Sequence, residues 1–222
     1  MKKLSILVGF CLAGVASGAA GAATETEKFD PSPYSQSVTE CDRQAAHFDD
    51  PFHVGAGIEH DAMDLPRAIA VCQADLQKDA GNPRIIYQLG RSLAYAGRGD
   101  EALPLLDKAV ALKYPQALFV TGYLYLEGLY KAPKDLCRAG ALIRESAIYG
   151  RLAGQVGFPA WYLEGRFKGC AVPQKRSEMI GFLEAALASK PEFYRALLIN
   201  DLLRQLRASQ GKRANNNRSP AK

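Results

Sequence analysis

Three histidines, His47, His53 and His60, are the chain's whole supply of imidazole, and all fall in one stretch. Imidazole moves protons readily near neutral pH, so this stretch is where acid–base or metal chemistry would be sought. His60 and Asp61 are adjacent and could be drawn as a metal pair or a proton relay. Their surroundings argue against it. Pro51, Gly55 and Gly57 mark a loop, loop histidines are generally solvated, and no His-Glu-x-x-His or comparable ligand spacing accompanies them. Ser209 and Lys212 spell Ser-x-x-Lys, but in a polar tail and without the partner motifs such a nucleophile needs. No Gly-x-Ser-x-Gly, Walker loop, dinucleotide glycine pattern or calcium loop is present. No catalytic residue, metal ligand or cofactor is assigned on these grounds, and the chain reads as a binding protein rather than an enzyme.

The elements that would hold any functional residue announce themselves by a repeat. Tyr-Leu-Glu-Gly occurs at Tyr125–Gly128 and again, 37 residues on, at Tyr162–Gly165, inside sequence with helical periodicity. Self-similarity at a period of about 30 to 40 residues implies paired helices stacked into a solenoid. Ser37-Val38-Thr39-Glu40 matches a capping box that would start a helix running to about Phe48. A long connection from Asp49 to Met63 follows. Asp64 would cap the next helix, with Pro66 tolerated in its first turn and Ala68, Ile69, Cys72 and Leu76 on one face. Between Pro83 and Tyr114, the small residues Gly90, Ala102 and Ala109 fall where two antiparallel helices would cross closely. After Pro191, a broad apolar stripe of Tyr194, Leu197, Leu198, Leu202, Leu203 and Leu206 serves either as a cap on the last repeat or as a dimer seam, so the oligomeric state stays open. About nine helices and no strands are expected.

The front of the chain has the three-part layout of a secretory signal peptide: Lys2 and Lys3, an apolar run from Leu4 to Ala16, and small residues from Ser17 to Ala23. Ala20-Gly21-Ala22 fits the cleavage rule, which divides the chain into a signal peptide (1–22), a flexible leader (23–36), a repeat domain (37–207) and a disordered basic tail (208–222). The apolar run, at about 13 residues, is too short for a permanent anchor, and no later segment reaches 18, so stable membrane insertion is not expected. A periplasmic or secreted location follows. The formal charge of +5 misleads. Removing Lys2, Lys3, Arg207, Lys212, Arg213, Arg218 and Lys222, seven of 28 cations, leaves 21 against 23 acidic residues, none of which lies in the removed ends. A near-neutral body lacks the basic face that nucleic acid requires.

Setting aside Cys11 in the signal, the cysteines Cys41, Cys72, Cys137 and Cys170 are even in number in an exported chain, which favours disulfides over free thiols. Four cysteines permit three pairings. Because neighbours in a solenoid are neighbours in sequence, Cys41 with Cys72 and Cys137 with Cys170 is the expected set. Loops of about 30 residues would contribute about 3–4 kcal/mol each on the chain-entropy account.

Residues 83–114 resemble a tetratricopeptide repeat, with Leu89, Gly90, Ala102 and Ala109 at that family's small and apolar positions. Residues 115–150 resemble its longer cousin, the Sel1-like repeat, through Ala117, Gly122, Leu124, Tyr125, Gly128, Pro133, Asp135, Ala139, Ala147 and Gly150. A degenerate copy runs from Arg151 to about Ala188 and keeps Gly157, Tyr162, Leu163 and Gly165, with Pro159 inside its first helix. The likeness spans about residues 64–188. It implies a right-handed α-α superhelix acting as an exported adaptor or regulator that binds a protein or peptide in the cell envelope. The alternative it raises is an envelope enzyme or enzyme-like binder acting on cell-wall fragments or β-lactams. In that register Arg84, Tyr87 and Arg91 turn toward the concave surface, and Phe119 and Tyr123 follow from the next repeat. Arginines and aromatics there would suit a peptide with acidic and apolar groups, or would equally serve to fill the interior. Phe158 and Trp161 extend the row if Pro159 leaves the helix direction intact.

Overall fold

The structure, a computed structural model, describes residues 29–216 and the side chains of residues 29–208. The expected signal peptide and the first residues of the leader lie outside them. Among the described residues the chain forms α1 (Glu40–Ala45), α2 (Leu65–Lys78), α3 (Pro83–Tyr95), α4 (Gly99–Ala111), α5 (Pro115–Glu127), α6 (Leu136–Ile148), α7 (Leu152–Leu163), α8 (Arg176–Ala188) and α9 (Phe193–Asn216), with a 3-10 turn at His60–Ala62. No strand occurs among them.

Local chemistry sets the helix ends. Asp64, Asn82 and Asp135 accept backbone N–H groups at the starts of α2, α3 and α6, and Pro66, Pro83 and Pro115 occupy first turns, where a missing N–H costs nothing. The repeated tetrapeptide has a conformational cause. Its glycine follows a helix in both copies, at φ 72° for Gly128 and 76° for Gly165, a left-handed geometry that costs an L-residue about 1–2 kcal/mol.

Helices pack in series: α1 on α2, α3 on α4, α5 on α6, α7 on α8, each pair on the next, with α9 closing the array against α7 and α8. This is the expected all-α solenoid. Small residues do stand at the crossings. A Cβ on Gly90 would lie 2.9 Å from Leu106 of α4, and one on Gly122 would lie 2.7 Å from Ile143 of α6. Apolar side chains form two clusters. One, around Cys41, Ala45, Ile69, Ile85, Leu89 and Leu93, belongs to the first repeats, and the other runs from Ile86 through Leu118, Ile143 and Phe167 to Leu206.

Cys41 is joined to Cys72 and Cys137 to Cys170, with Cα atoms 4.4 and 5.1 Å apart. The first bridge pins α1 to α2 inside the core, and the second ties α6 to the turn before α8.

Two details of the first helix depart from the sequence reading. The first helix starts after Thr39 and not Ser37, because Asp42 completes the cap by accepting from the Thr39 N–H at 2.9 Å. It also stops at Ala45 and not near Phe48, since Ala46 turns extended and its carbonyl accepts from Ile58. As expected, Pro159 lies inside a helix, α7, where the neighbouring Phe158 is fully buried against Phe167 and Phe182. At the other end, α9 continues past Arg207 to Asn216. Its Ile199, Leu202, Leu203 and Leu206 point into the core, whereas Phe193, Tyr194, Leu197 and Leu198 are exposed.

Candidate docking groove

One side of the array is formed by α3, α5 and α7, the first helices of successive pairs, and the N-terminal segment lies across its α3 end. Arg84 reaches Asp42 through two bonds, Nε to Oδ1 at 2.8 Å and Nη2 to Oδ2 at 3.2 Å, and also donates to the carbonyls of Ser35 and Ser37. Gln88 donates to the same carboxylate at 2.9 Å. Arg91 donates to the carbonyls of Ala45, Ala46 and Ile58 at 3.0–3.1 Å. Tyr114 donates to Asp50 at 2.6 Å, and its ring meets Phe29 and Phe52. Residues 29–58 thus form a strap that fills the inner face of α3.

The five expected groove residues therefore separate into two sets. Arg84 is 2% exposed, Tyr87 1% and Arg91 4%, and the first and last of these are held by the strap. Tyr87 accepts a hydrogen bond from Gln116 at 3.1 Å, and burial raises its phenol well above the ordinary range. These three do face inward as expected, but the occupant they meet is their own chain. Phe119 and Tyr123 lie beyond the strap. Trp161 of α7 joins them, its ring 6.4 Å from Phe119 and 6.1 Å from Tyr123, and Tyr123 is 39% exposed. Phe158 does not join this row, being inside the core.

The strap's turn, His47 to Asp49, borders this aromatic row. His47 stacks on Phe48, and its Nδ1 accepts from the Asp49 N–H. Burial first, then the positive charges of Arg91 and Arg151, lower its pKa to about 4, so the ring is neutral at physiological pH. Arg151 is buried beside Phe119, donates to Gln116, and has Asp49 3.9 Å from Nη2; burial lowers its pKa. His53 bonds the Gly55 carbonyl, and His60 meets the Tyr95 ring at 4.2 Å with the planes tilted by 56°. Among the described residues no group of three or more His, Cys, Asp or Glu side chains could hold a metal ion. Among the described residues no helix is long and apolar enough to cross a membrane either.

Sequence reasoning overlooked Asp42, Asp50, Tyr95, Tyr130 and Arg151, and weighed His47 only for acid–base or metal chemistry. Only Asp42 carried a signal, sitting three residues after Thr39 in a helix-start pattern. The others are placed by contacts remote in sequence.

No family model matches the chain, and no curated protein does. Among solved structures, a Sel1 repeat protein from Oxalobacter formigenes is similar, at 24% identity and a TM-score of 0.47, over 58% of this chain and 97% of that one. By its own serial helix pairs, crossing glycines and glycines in left-handed geometry after helices, the fold is an all-α array of repeated helix hairpins.

Proposed function

We propose that the chain is an exported adaptor or regulator that holds a protein partner in the cell envelope, using the inner face beyond the strap. The observation that carries this reading is the row of Phe119, Tyr123 and Trp161 on an array whose preceding inner face already holds the N-terminal strap of the chain. Aromatic side chains give large contact area at low entropic cost, which suits them to docking. Export is supported by the signal-like front of the sequence and by two disulfides, which persist in oxidising compartments.

A photo-crosslinking side chain placed at position 123 in intact cells tests it. The expected result is one discrete adduct with another protein, missing when the same group is placed at Lys134 in the α5–α6 turn. Absence of any adduct from inner-face positions overturns the reading. A fluorescent penicillin should leave the protein unlabelled, and covalent labelling would favour the envelope-enzyme alternative.

A further inference from the structure

Two cavities open on the inner face, on either side of the partition made by Phe119 and Trp161. One, of about 250 Å³, is bounded by His47, Arg91, Tyr95, Phe119, Tyr123 and Tyr130. The other, of about 300 Å³, is bounded by Asp49, Arg151, Val156, Trp161, Arg195 and Leu198. Sites for compact ligands generally occupy about 300–1,000 Å³, so each cavity alone stands at or below the small end of that range. Together they make a paired arrangement. Phe119 lines the first and Trp161 the second, with their rings 6.4 Å apart, and the strap turn borders both, with His47 on one side and Asp49 on the other.

The lining is apolar with an excess of positive charge. Arg91 is 96% buried by its 4% exposure, its terminal nitrogens bond only to backbone carbonyls, and its Nε–H has no acceptor. Arg151 has its nearest carboxylate, Asp49, at the limit of ion pairing, and Arg195 lies close enough to oppose its charge. Three guanidinium groups thus meet one carboxylate across the two cavities. The same field helps keep His47 unprotonated.

The strap shows how this face holds a chain. There residues 29–58 set a carboxylate of helix α1, Asp42, on Arg84, give Arg91 the carbonyl at the end of that helix, and pack Phe29 and Phe52 against Tyr114. The groove beyond the strap continues this arginine and aromatic surface.

We propose that the two cavities are the anchor points of one docking site, and that its occupant is an extended segment of a partner protein carrying two large apolar side chains with a carboxylate between them. The apolar side chains enter the cavities. The carboxylate meets Arg151, whose guanidinium carbon lies 5.4 Å from the Phe119 ring at the partition. This rests on the adaptor reading and specifies the chemistry it would recognise.

Trp161 is the only tryptophan, so its emission reports on the site directly. The experiment titrates the full-length mature protein with capped synthetic peptides in which two phenylalanines are separated by two to four residues including one glutamate. A matched set carries lysine in place of glutamate. At least one acidic peptide should shift Trp161 emission saturably, and its lysine counterpart should bind about tenfold more weakly. Tyr123→Ala in the first cavity and Leu198→Asp in the second should each weaken binding by about tenfold, both positions being partly solvent-exposed and so tolerant of change in the fold. No emission change with any peptide, equal binding of the lysine set, or full affinity in both variants overturns the proposal. Adducts formed in cells from other parts of the surface, with no peptide response, would remove this site while leaving the adaptor reading in place.

Discussion

Arg84 shows how a repeat position can turn a side chain inward without naming what it meets there. Its repeat position predicts an inward side chain, and it is inward; what the sequence does not reveal is Asp42, 42 residues away, waiting there with 0% exposure. Removing one partner of a buried pair leaves the other charge without compensation, at a cost of about 3–5 kcal/mol. Arg84→Ala should therefore lower stability by that order in denaturant unfolding, and a near-neutral effect would show the pair is not formed. His47 contributes in the opposite sense, by being uncharged. Its folded pKa of about 4 lies below the 6.5 of a free ring, so between those values the unfolded chain binds more protons and stability rises with pH. Acidification from about pH 6.5 to 4 should remove about 1–2 kcal/mol, after allowance for solvent screening of a half-buried ring facing Arg91, Arg151, Asp49 and His53. Melting curves of the parent and of His47→Gln across that range check this, with a flatter slope expected for the variant.

At the level of elements, much was legible because it is governed locally. The tetrapeptide repeat, the cap at Asp64 and the small residue at Gly90 each act through a neighbouring turn or a facing helix of the same hairpin. The first helix was misdrawn at both ends for the converse reason. Its start depends on an Asp42 carboxylate fixed by Arg84, and its end on carbonyls taken by Arg91 and Ile58. Helix α7 was doubted because of Pro159, and burial of Phe158 outweighs the hydrogen bond lost there. The disulfides differ in a way that their spacing concealed. Cys41 and Cys72 are wholly buried, whereas Cys137 is exposed and Cys170 partly so. Thiol exchange requires access to sulfur. Mild reductant followed by alkylation and peptide mapping should modify Cys137 and Cys170 well before Cys41 and Cys72, and equal rates at both bridges would contradict the burial.

Across the whole molecule, the array is asymmetric. Its α3 end is covered by residues 29–58, its middle presents Tyr123 and Trp161, and α9 leaves Phe193, Tyr194, Leu197 and Leu198 exposed at the far end. Sequence periodicity could reveal the array but not this distribution, since the strap obeys no repeat and its contacts span large separations. Hairpins of neighbouring helices close over short stretches and can propagate along a nascent chain. The strap follows a different timetable: Asp50 must await Tyr114, 64 residues downstream, and Asp49 must await Arg151. The stretch synthesised first is thus among the last to settle, and during that interval Arg84, Tyr87 and Arg91 stand bare to any extended polypeptide nearby.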